Sequence, residues 1–339
     1  MFQVILLYLI IVSNLVSLTV SKGSTTHLRE IVIGKCWDYQ RLKSHEVTKN
    51  CSKIWGIFSK AFAYKDPCSV SFADYKTYFD EVGMDIVKPN KSLFWSGTYK
   101  EAHMFSDFDS RFTTLEDTMA GWIVNNLTWC GTQDNTTSGD GIDYSSCPAS
   151  NKSCDYITHF WGQASERFAK KASGIVRVLV NGSRLSASGY PAFKNDSYFA
   201  TWELPNLRVK EVTKLIVLVV HIIGDDSKNL ESCGKGSIKL LQDTASNRGI
   251  NTTCYDDPAQ VEHLLCADHP GAKECIFFKN SERKMAQTVN QGWKGWKVLA
   301  ITLSAVVGVC LIAAVVLFIC RRRLVNGIFS VGYKKHTDL

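Results

Sequence analysis

Two apolar segments frame the chain, and between them the hydrophobic period changes once. Met1 to Val20 carries no charged side chain, and Thr19 and Ser21 suit the −3 and −1 positions of a signal-peptidase site. Residues 1–21 therefore read as a signal peptide cut near Ser21. Val298 to Cys320 is an apolar run of 23 residues whose hydroxyl side chains are Thr302 and Ser304. As a helix it is about 34 Å long, enough to cross a hydrocarbon core with some tilt. Trp293 and Trp296 precede it as interfacial aromatics and Arg321-Arg322-Arg323 close it. The pattern predicts a single-pass type I membrane protein with a cytoplasmic tail over 321–339. A GPI signal would end in its apolar stretch, whereas polar residues follow here.

Inside this frame the first half has helical period. Aromatics fall three to four apart in Cys51–Phe62 and Phe72–Phe79, and 157–171 repeats the pattern. Thr114 with Asp117 three residues on predicts a capped helix start running through Met119, Trp122 and Ile123. The stretch 130–154, rich in Gly, Asn, Asp and Ser between cysteines, reads as a loop. The second half changes character. Segments 175–180, 198–204 and 214–223 look like strands, the first and third almost continuously apolar, as strands buried on both faces are. Residues 236–247 read as a crossover helix and 250–255 as a fourth strand. The expected fold is α/β: a helical lobe over 22–129, with 155–173 packing back on it, and a small α/β lobe over 130–280. That lobe holds the cysteine-pinned loop and a four-stranded, mostly parallel sheet. A cleft is expected where the segment around Glu116 meets the carboxyl ends of the strands.

The net charge of +7 hardly changes this picture. Much of it sits after the apolar run, in Arg321–Arg323, Lys334 and Lys335, leaving too little elsewhere for nucleic-acid binding. The cysteines change it more. Ten lie between the two apolar segments (Cys36, Cys51, Cys68, Cys130, Cys147, Cys154, Cys233, Cys254, Cys266 and Cys275), an even number that points to an oxidising compartment and up to five disulfides of open connectivity. No C-x-x-C or H-E-x-x-H occurs, so no metal site is expected. Sequons at Asn50, Asn90, Asn126, Asn135, Asn151, Asn181, Asn195 and Asn251 all fall in the same interval and support its export. Of these, Asn126 is expected inside a helix and too buried for use.

Three features carry candidate chemistry. Leu93-Phe94-Trp95-Ser96 sets an aromatic beside a hydroxyl. Thr114-Leu115-Glu116-Asp117-Thr118 sets adjacent carboxylates at a helix start, where first-turn acids also serve the helix dipole alone. Trp161, and Phe199 to Glu203, offer aromatics and one acid among apolar neighbours. Trp95 and Trp161 equally suit a core. Glu203 is harder to dismiss, because burying an acid costs free energy unless it is paired or used.

These residues, with Asn126-Leu127-Thr128-Trp129-Cys130-Gly131, Ser146-Cys147-Pro148, Phe160-Trp161, Asn181-Gly182-Ser183 and Glu203 before Asn206-Leu207, resemble the signature of the ADP-ribosyl cyclase/cyclic ADP-ribose hydrolase family over roughly 36–275. The resemblance implies disulfides Cys36–Cys51, Cys68–Cys154, Cys130–Cys147, Cys233–Cys254 and Cys266–Cys275. It implies NAD or NADP as substrate rather than cofactor, with no further cofactor. Glu203 and Glu116 would be the catalytic residues: Glu203 would stabilise the ribosyl cation, Trp95 and Trp161 would position the nicotinamide, Glu116 and Asp117 would bind its carboxamide, and Glu116 would also influence which nucleophile captures the intermediate. Ser96, Ser165 and the Phe199 region would hold the diphosphate. Tyr198 would crowd the intermediate and favour cyclisation over hydrolysis. The chain departs from the pattern at Gly97, where mammalian members place an arginine; Lys100 and Arg167 are the expected substitutes.

The chief alternative is a catalytically weak cell-surface receptor or adhesion protein on the same fold. A glycosidase using Glu116 and Glu203 is a third reading. The aromatic pair and the full set of site residues favour the NAD-cleaving enzyme. Its expected location is the cell surface or a secretory-pathway membrane. A homodimer, and a PDZ-domain contact through Leu339, are the further partners expected.

Overall fold

The structure, a computed structural model, describes residues 22–44, 48–84, 87–107, 110–133, 139–149, 154–224, 230–276 and Leu317. The signal peptide, the tail, Asn135, Asn151 and, Leu317 apart, the apolar run at 298–320 lie outside the described residues. Among the described residues no helix is long and apolar enough to cross a membrane. Residues up to His269 belong to one compact unit, and a second unit begins at Pro270.

The helical period of the first half is borne by α1 (Leu28–Tyr39), α2 (Cys51–Phe62), α3 (Phe72–Val82) and α4 (Tyr99–Asp107). Asn50 caps α2 by accepting from the Lys53 amide at 3.0 Å. Ser71 and Asp74 form a capping box on α3. The aromatics spaced for one helix face meet there: Phe58, Tyr75, Tyr78 and Phe79 surround Phe160 of α6 (Tyr156–Lys171), with centroids 5.0–6.0 Å apart. Between α4 and α6 the expected single helix from Thr114 is two pieces. A turn at Leu115–Asp117 is closed by Thr118, which starts α5 (Met119–Val124) as a separate helix. Thr118 adopts extended backbone and spends its hydroxyl on capping, so one helix cannot run through it. Asn126 lies beyond α5, not within it; it is exposed, with φ of 62°, a conformation asparagine tolerates.

The sheet is four-stranded and wholly parallel, in the order β1 (Leu93–Ser96), β2 (Gly174–Asn181), β3 (Val212–Val220), β4 (Thr252–Asp256). Both faces are covered. Phe94, Val178, Val180, Val217 and Val219 point into the main core shared with α1–α3 and α6, so the helices and the sheet have one core in common. Leu93, Leu179, Leu218 and Val220 face a second, smaller core under α4 and α9 (Ala259–Asp268). The alternation of adjacent residues between two cores explains why β2 and β3 read as continuously apolar. The helix α8 (Gly236–Asn247) crosses between β3 and β4 as expected.

One expected strand is absent and one strand was unforeseen. Residues 198–204 form a π-helical turn, Phe199–Glu203, running into a short 3₁₀ turn, Leu204–Asn206. Phe199 and Glu203, four apart, are buried while Thr201 is exposed, which is helical and not strand spacing. Ser197 opens the turn by accepting from the Ala200 amide, and Pro205 follows. The place in the sheet goes instead to Leu93–Ser96, which pairs with Arg177–Val180.

Four of the implied disulfides are formed: Cys36–Cys51, Cys68–Cys154, Cys130–Cys147 and Cys233–Cys254. Cys266 and Cys275 are disulfide-bonded as well.

Candidate active site

A cavity of about 430 Å³ opens at the carboxyl ends of β1 and β2, where a parallel sheet leaves room for a ligand. Four elements deliver its reactive groups. The end of β1 brings Trp95 and Ser96. The Leu115–Asp117 turn brings Glu116, α6 brings Trp161 and Ser165, and the Phe199–Glu203 turn brings Glu203, with Tyr198 just before it.

Glu203 is buried, and burial pushes its carboxyl up to about 8. The Ser165 hydroxyl donates to Oε1 at 3.0 Å and opposes that shift, while the nearby Glu116 adds to it. Oε2 is buried without a hydrogen-bond partner. An acid held this way in the free protein is protonated at neutral pH, and a cation entering the cavity favours its carboxylate. The π-helical turn and α6 are held together tightly enough to fix this geometry. The Trp202 ring lies over Gly162 of α6, 2.8 Å from where a Cβ would stand, so only glycine leaves the space.

Glu116 is also buried, and burial raises its carboxyl above the usual range, against the pull of His103 and the bond from Trp95. Trp95 Nε1 donates to Oε2 at 3.3 Å, and His103 Nε2, from α4, stands 3.6 Å from the same oxygen. Asp117, its neighbour, is turned away. Its Oδ2 accepts from the Thr114 amide and hydroxyl, both at 2.9 Å, and Oδ1 stands 3.6 Å from Lys43 Nζ. The sequence placed both acids at the site; the structure brings Glu116 into the cavity and uses Asp117 to hold the turn. Phe199 likewise packs inward, against Phe94 and Phe193, and is not among the cavity-lining residues.

The missing cation comes from neither expected residue. Lys100 bridges to Asp268 at 3.2 Å and Arg167 to Asp80 at 2.9 Å. Arg184, the first residue of α7 (Arg184–Ser188) after β2, lines the cavity instead, its Nη1 3.4 Å from Ser96 Oγ. Its guanidinium lies beside Gly97, whose φ is +70°, with Nη1 3.3 Å from where a Cβ would stand. Arg184 follows Asn181-Gly182-Ser183 directly, but only the pairing of β1 with β2 brings it to Ser96. Asn126, which opens a motif, also lines the cavity, as do Tyr99 and Asn125, which carry no signal beyond their nearness to motifs. Among the described residues no cluster of His, Cys, Asp and Glu is able to hold a metal.

The arrangement thus joins two buried carboxyls, one with an unsatisfied oxygen, to two indoles and one arginine in a single cavity. Comparison with known proteins points the same way. The family model for ADP-ribosyl cyclase matches residues 25–275. The ADP-ribosyl cyclase/cyclic ADP-ribose hydrolase of Aplysia kurodai is 37% identical over 265 residues, covering 76% of this chain and 90% of its own length. Human ADP-ribosyl cyclase/cyclic ADP-ribose hydrolase 2 is 35% identical over 259 residues, covering 76% and 77%. The crystal structure of Aplysia cyclase with substrate NGD and product cGDPR superposes with a TM-score of 0.68 at 36% identity, covering 75% of this chain and 98% of that one. The chain belongs to the ADP-ribosyl cyclase family.

Proposed function

We propose that this protein cleaves the nicotinamide–ribose bond of NAD, or of NADP, and passes the ribosyl group to adenine N1, to water or to an incoming pyridine base. The products are cyclic ADP-ribose, ADP-ribose or an exchanged dinucleotide. The observation that carries this reading is the buried Glu203 with its unpartnered Oε2 in a cavity lined by Trp95 and Trp161.

The pyridinium ring of the substrate is flat and cationic, which suits indole faces and a carboxyl that ionises when a cation arrives. Trp95 and Trp161 orient the ring, and Glu116 accepts from its carboxamide. Glu203, as carboxylate, hydrogen-bonds the ribose hydroxyls. As the C1′–N bond breaks, the bonding pair stays with nicotinamide, which leaves neutral. The positive charge left on the ribose is stabilised by the carboxylate in a site shielded from water. Ser165 keeps Glu203 aimed by donating to the oxygen that does not face the substrate. Arg184 and Ser96 take the diphosphate, the role the family pattern gives to an arginine after Ser96. Asp117 acts on the reaction only by bracing the turn that carries Glu116. Tyr198, its hydroxyl 3.2 Å from that of Thr158 at the rim, crowds the ribosyl intermediate and disfavours water.

Disulfides in the 22–276 region support an extracellular or lumenal location for this reaction. With the apolar run at 298–320 they support a type I anchored ecto-enzyme with the tail inside. A homodimer and a PDZ-domain contact through Leu339 remain part of this proposal, each testable by mass measurement and by peptide binding. The decisive experiment incubates the full chain with NAD and separates nicotinamide, ADP-ribose and cyclic ADP-ribose by chromatography. Stoichiometric nicotinamide release is expected, and none at all would overturn the reading.

A further inference from the structure

His103 stands next to the cavity with a protonation pattern its surroundings dictate. It lies in the middle of α4, and its Nδ1 is 2.8 Å from the carbonyl oxygen of Tyr99, one turn back. A carbonyl only accepts, so Nδ1 carries a hydrogen. The other nitrogen, Nε2, is buried and has no hydrogen-bond partner, yet it points toward Glu116 Oε2 at 3.6 Å. The Tyr99 ring lies 4.1 Å from the imidazole and the Trp95 ring 6.3 Å away, which limits its rotation. The imidazole lone pair at Nε2 thus faces Glu116 Oε2, and a single hydrogen between the two atoms would serve both. Either Glu116 carries it and faces an imidazole lone pair, or His103 carries it and faces a carboxylate. Both forms have no net charge, which is the least costly state for a pair in this setting.

The other charged and titratable groups lining the cavity are Glu203 and Arg184, with Tyr198 at the rim and Tyr99 on His103's own helix. Asp117 is engaged in its cap and with Lys43. Glu203 and Glu116 repel one another when both are ionised. Burial favours the protonated form of Glu116, and without the imidazole the hydrogen of that form is free to turn into the cavity.

We propose that His103 is a positioning residue for Glu116: its Nε2 draws the shared proton to the side of Oε2, so that Glu116 meets the ligand as a hydrogen-bond acceptor. The group this selects is an N–H donor on a planar ring, namely the amide of a pyridine carboxamide. The inference rests on the NAD-cleaving reading above and adds to it a residue that does not touch the substrate.

The test uses the full chain and two dinucleotides, NAD and its analogue in which an acetyl group replaces the carboxamide, so that methyl replaces the amine. The ratio of their kcat/KM values measures recognition of the N–H donor. His103→Leu is expected to lower the preference for NAD about fivefold or more, because Glu116 then turns a proton toward the amide. In a Glu116→Gln background the same change is expected to alter the preference by less than about twofold, since no proton is left to share. A packing role alone would lower both rates together and leave the ratio where it was, and that result overturns the proposal. So does an equal effect of His103→Leu in both backgrounds. If His103→Leu does not accumulate, His103→Gln replaces it: its amide accepts a hydrogen bond but does not take up a proton. With its side-chain oxygen as acceptor it is expected to keep the preference for NAD within about twofold of wild type, and His103→Ala, with no acceptor, to lose it; equal ratios in the two overturn the proposal. A wild-type chain that cleaves neither dinucleotide sinks the parent reading; one that cleaves both, with an unmoved ratio in the variants, sinks this inference alone.

Discussion

The turn at Leu115–Asp117 and the turn at Phe199–Glu203 each carry one buried acid into the same cavity, and they treat it differently. Glu116 has an indole N–H on Oε2 and an imidazole nitrogen beside the same oxygen. Glu203 has one hydroxyl donor on Oε1 and nothing on Oε2. A satisfied carboxyl is suited to recognising a ligand, because its geometry is already set. An unsatisfied one is suited to chemistry, because its missing partner is supplied by charge that develops during the reaction. The difference lies in which elements surround each turn: β1 supplies an indole donor and α4 an imidazole nitrogen to the first, and α6 supplies a single serine to the second.

The sharpest way to break this contrast is to neutralise each acid in turn. Glu203→Gln should lower kcat by a hundredfold or more, about 3 kcal/mol of transition-state stabilisation, with secretion and folding retained. Glu116→Gln should keep a substantial share of turnover and shift the product ratio instead. Glu203→Gln retaining more than about a tenth of wild-type turnover would put the chemistry elsewhere. The same variant tests the linkage to stability. An acid raised to about 8 in the folded state ionises first in the unfolded chain. Its contribution is therefore intact below the ordinary carboxyl range and lost as pH rises toward 8. Denaturant titrations at pH 5 and pH 8 should show the wild type losing stability across this interval relative to Glu203→Gln.

Next in size is the arginine. Arg184→Gln should raise KM for NAD about tenfold, near 1.4 kcal/mol, with little change in kcat, and leave cleavage of nicotinamide riboside, which has no diphosphate, unaffected. An equal loss on both substrates would mean that Arg184 only shapes the cavity. A smaller effect sharpens the contrast from the side of Glu203. For the free enzyme, kcat/KM should rise with pH along a limb near 8, as Glu203 loses its proton. Ser165→Ala removes a bond that favours the carboxylate, so it should move this limb upward and cost severalfold in rate at pH 7. A limb unchanged in position would show the hydroxyl to be incidental. The smallest effect is expected at the rim: Tyr198→Gly should raise the ADP-ribose share while NAD consumption stays within about twofold. A constant ratio of cyclic to linear product would leave Tyr198 as packing.

Much of this was legible in the sequence, for local reasons. Asn50 and Ser71 announce their helices because a cap is made within one turn, and the apolar runs of β2 and β3 follow from burial on two faces. What failed was context. Residues 198–204 are rich in aromatic and apolar side chains, as strands are, and only the burial of Phe199 with Glu203 reveals a helical repeat. Leu93–Ser96 is four residues long, too short to show a period, and becomes a strand by pairing with β2. In the site, Trp95, Glu116, Trp161 and Glu203 stand in contiguous motifs, and the structure brings all four to one cavity. Asp117 shares its motif with Glu116 yet turns to the Thr114 cap, since a motif does not say which of two neighbouring acids faces inward. Arg184 and His103 leave no such mark, because they approach Ser96 and Glu116 only across elements.

Gly97 and Arg184 show what that means for reading related chains. Neighbouring strands in a sheet run about 4.8 Å apart, well within the reach of an arginine side chain. Two adjacent strand exits therefore behave as interchangeable mounting points for one charge. A chain that loses the cation at the first exit keeps its anion-binding capacity if the second exit supplies it, provided the vacated position is small enough for the guanidinium to lie over. Scored position by position, such a chain looks like a defective enzyme; scored by which charges reach the cavity, it is complete. Gly97 and Arg184 fit together in that way: the glycine leaves open the space that the guanidinium fills.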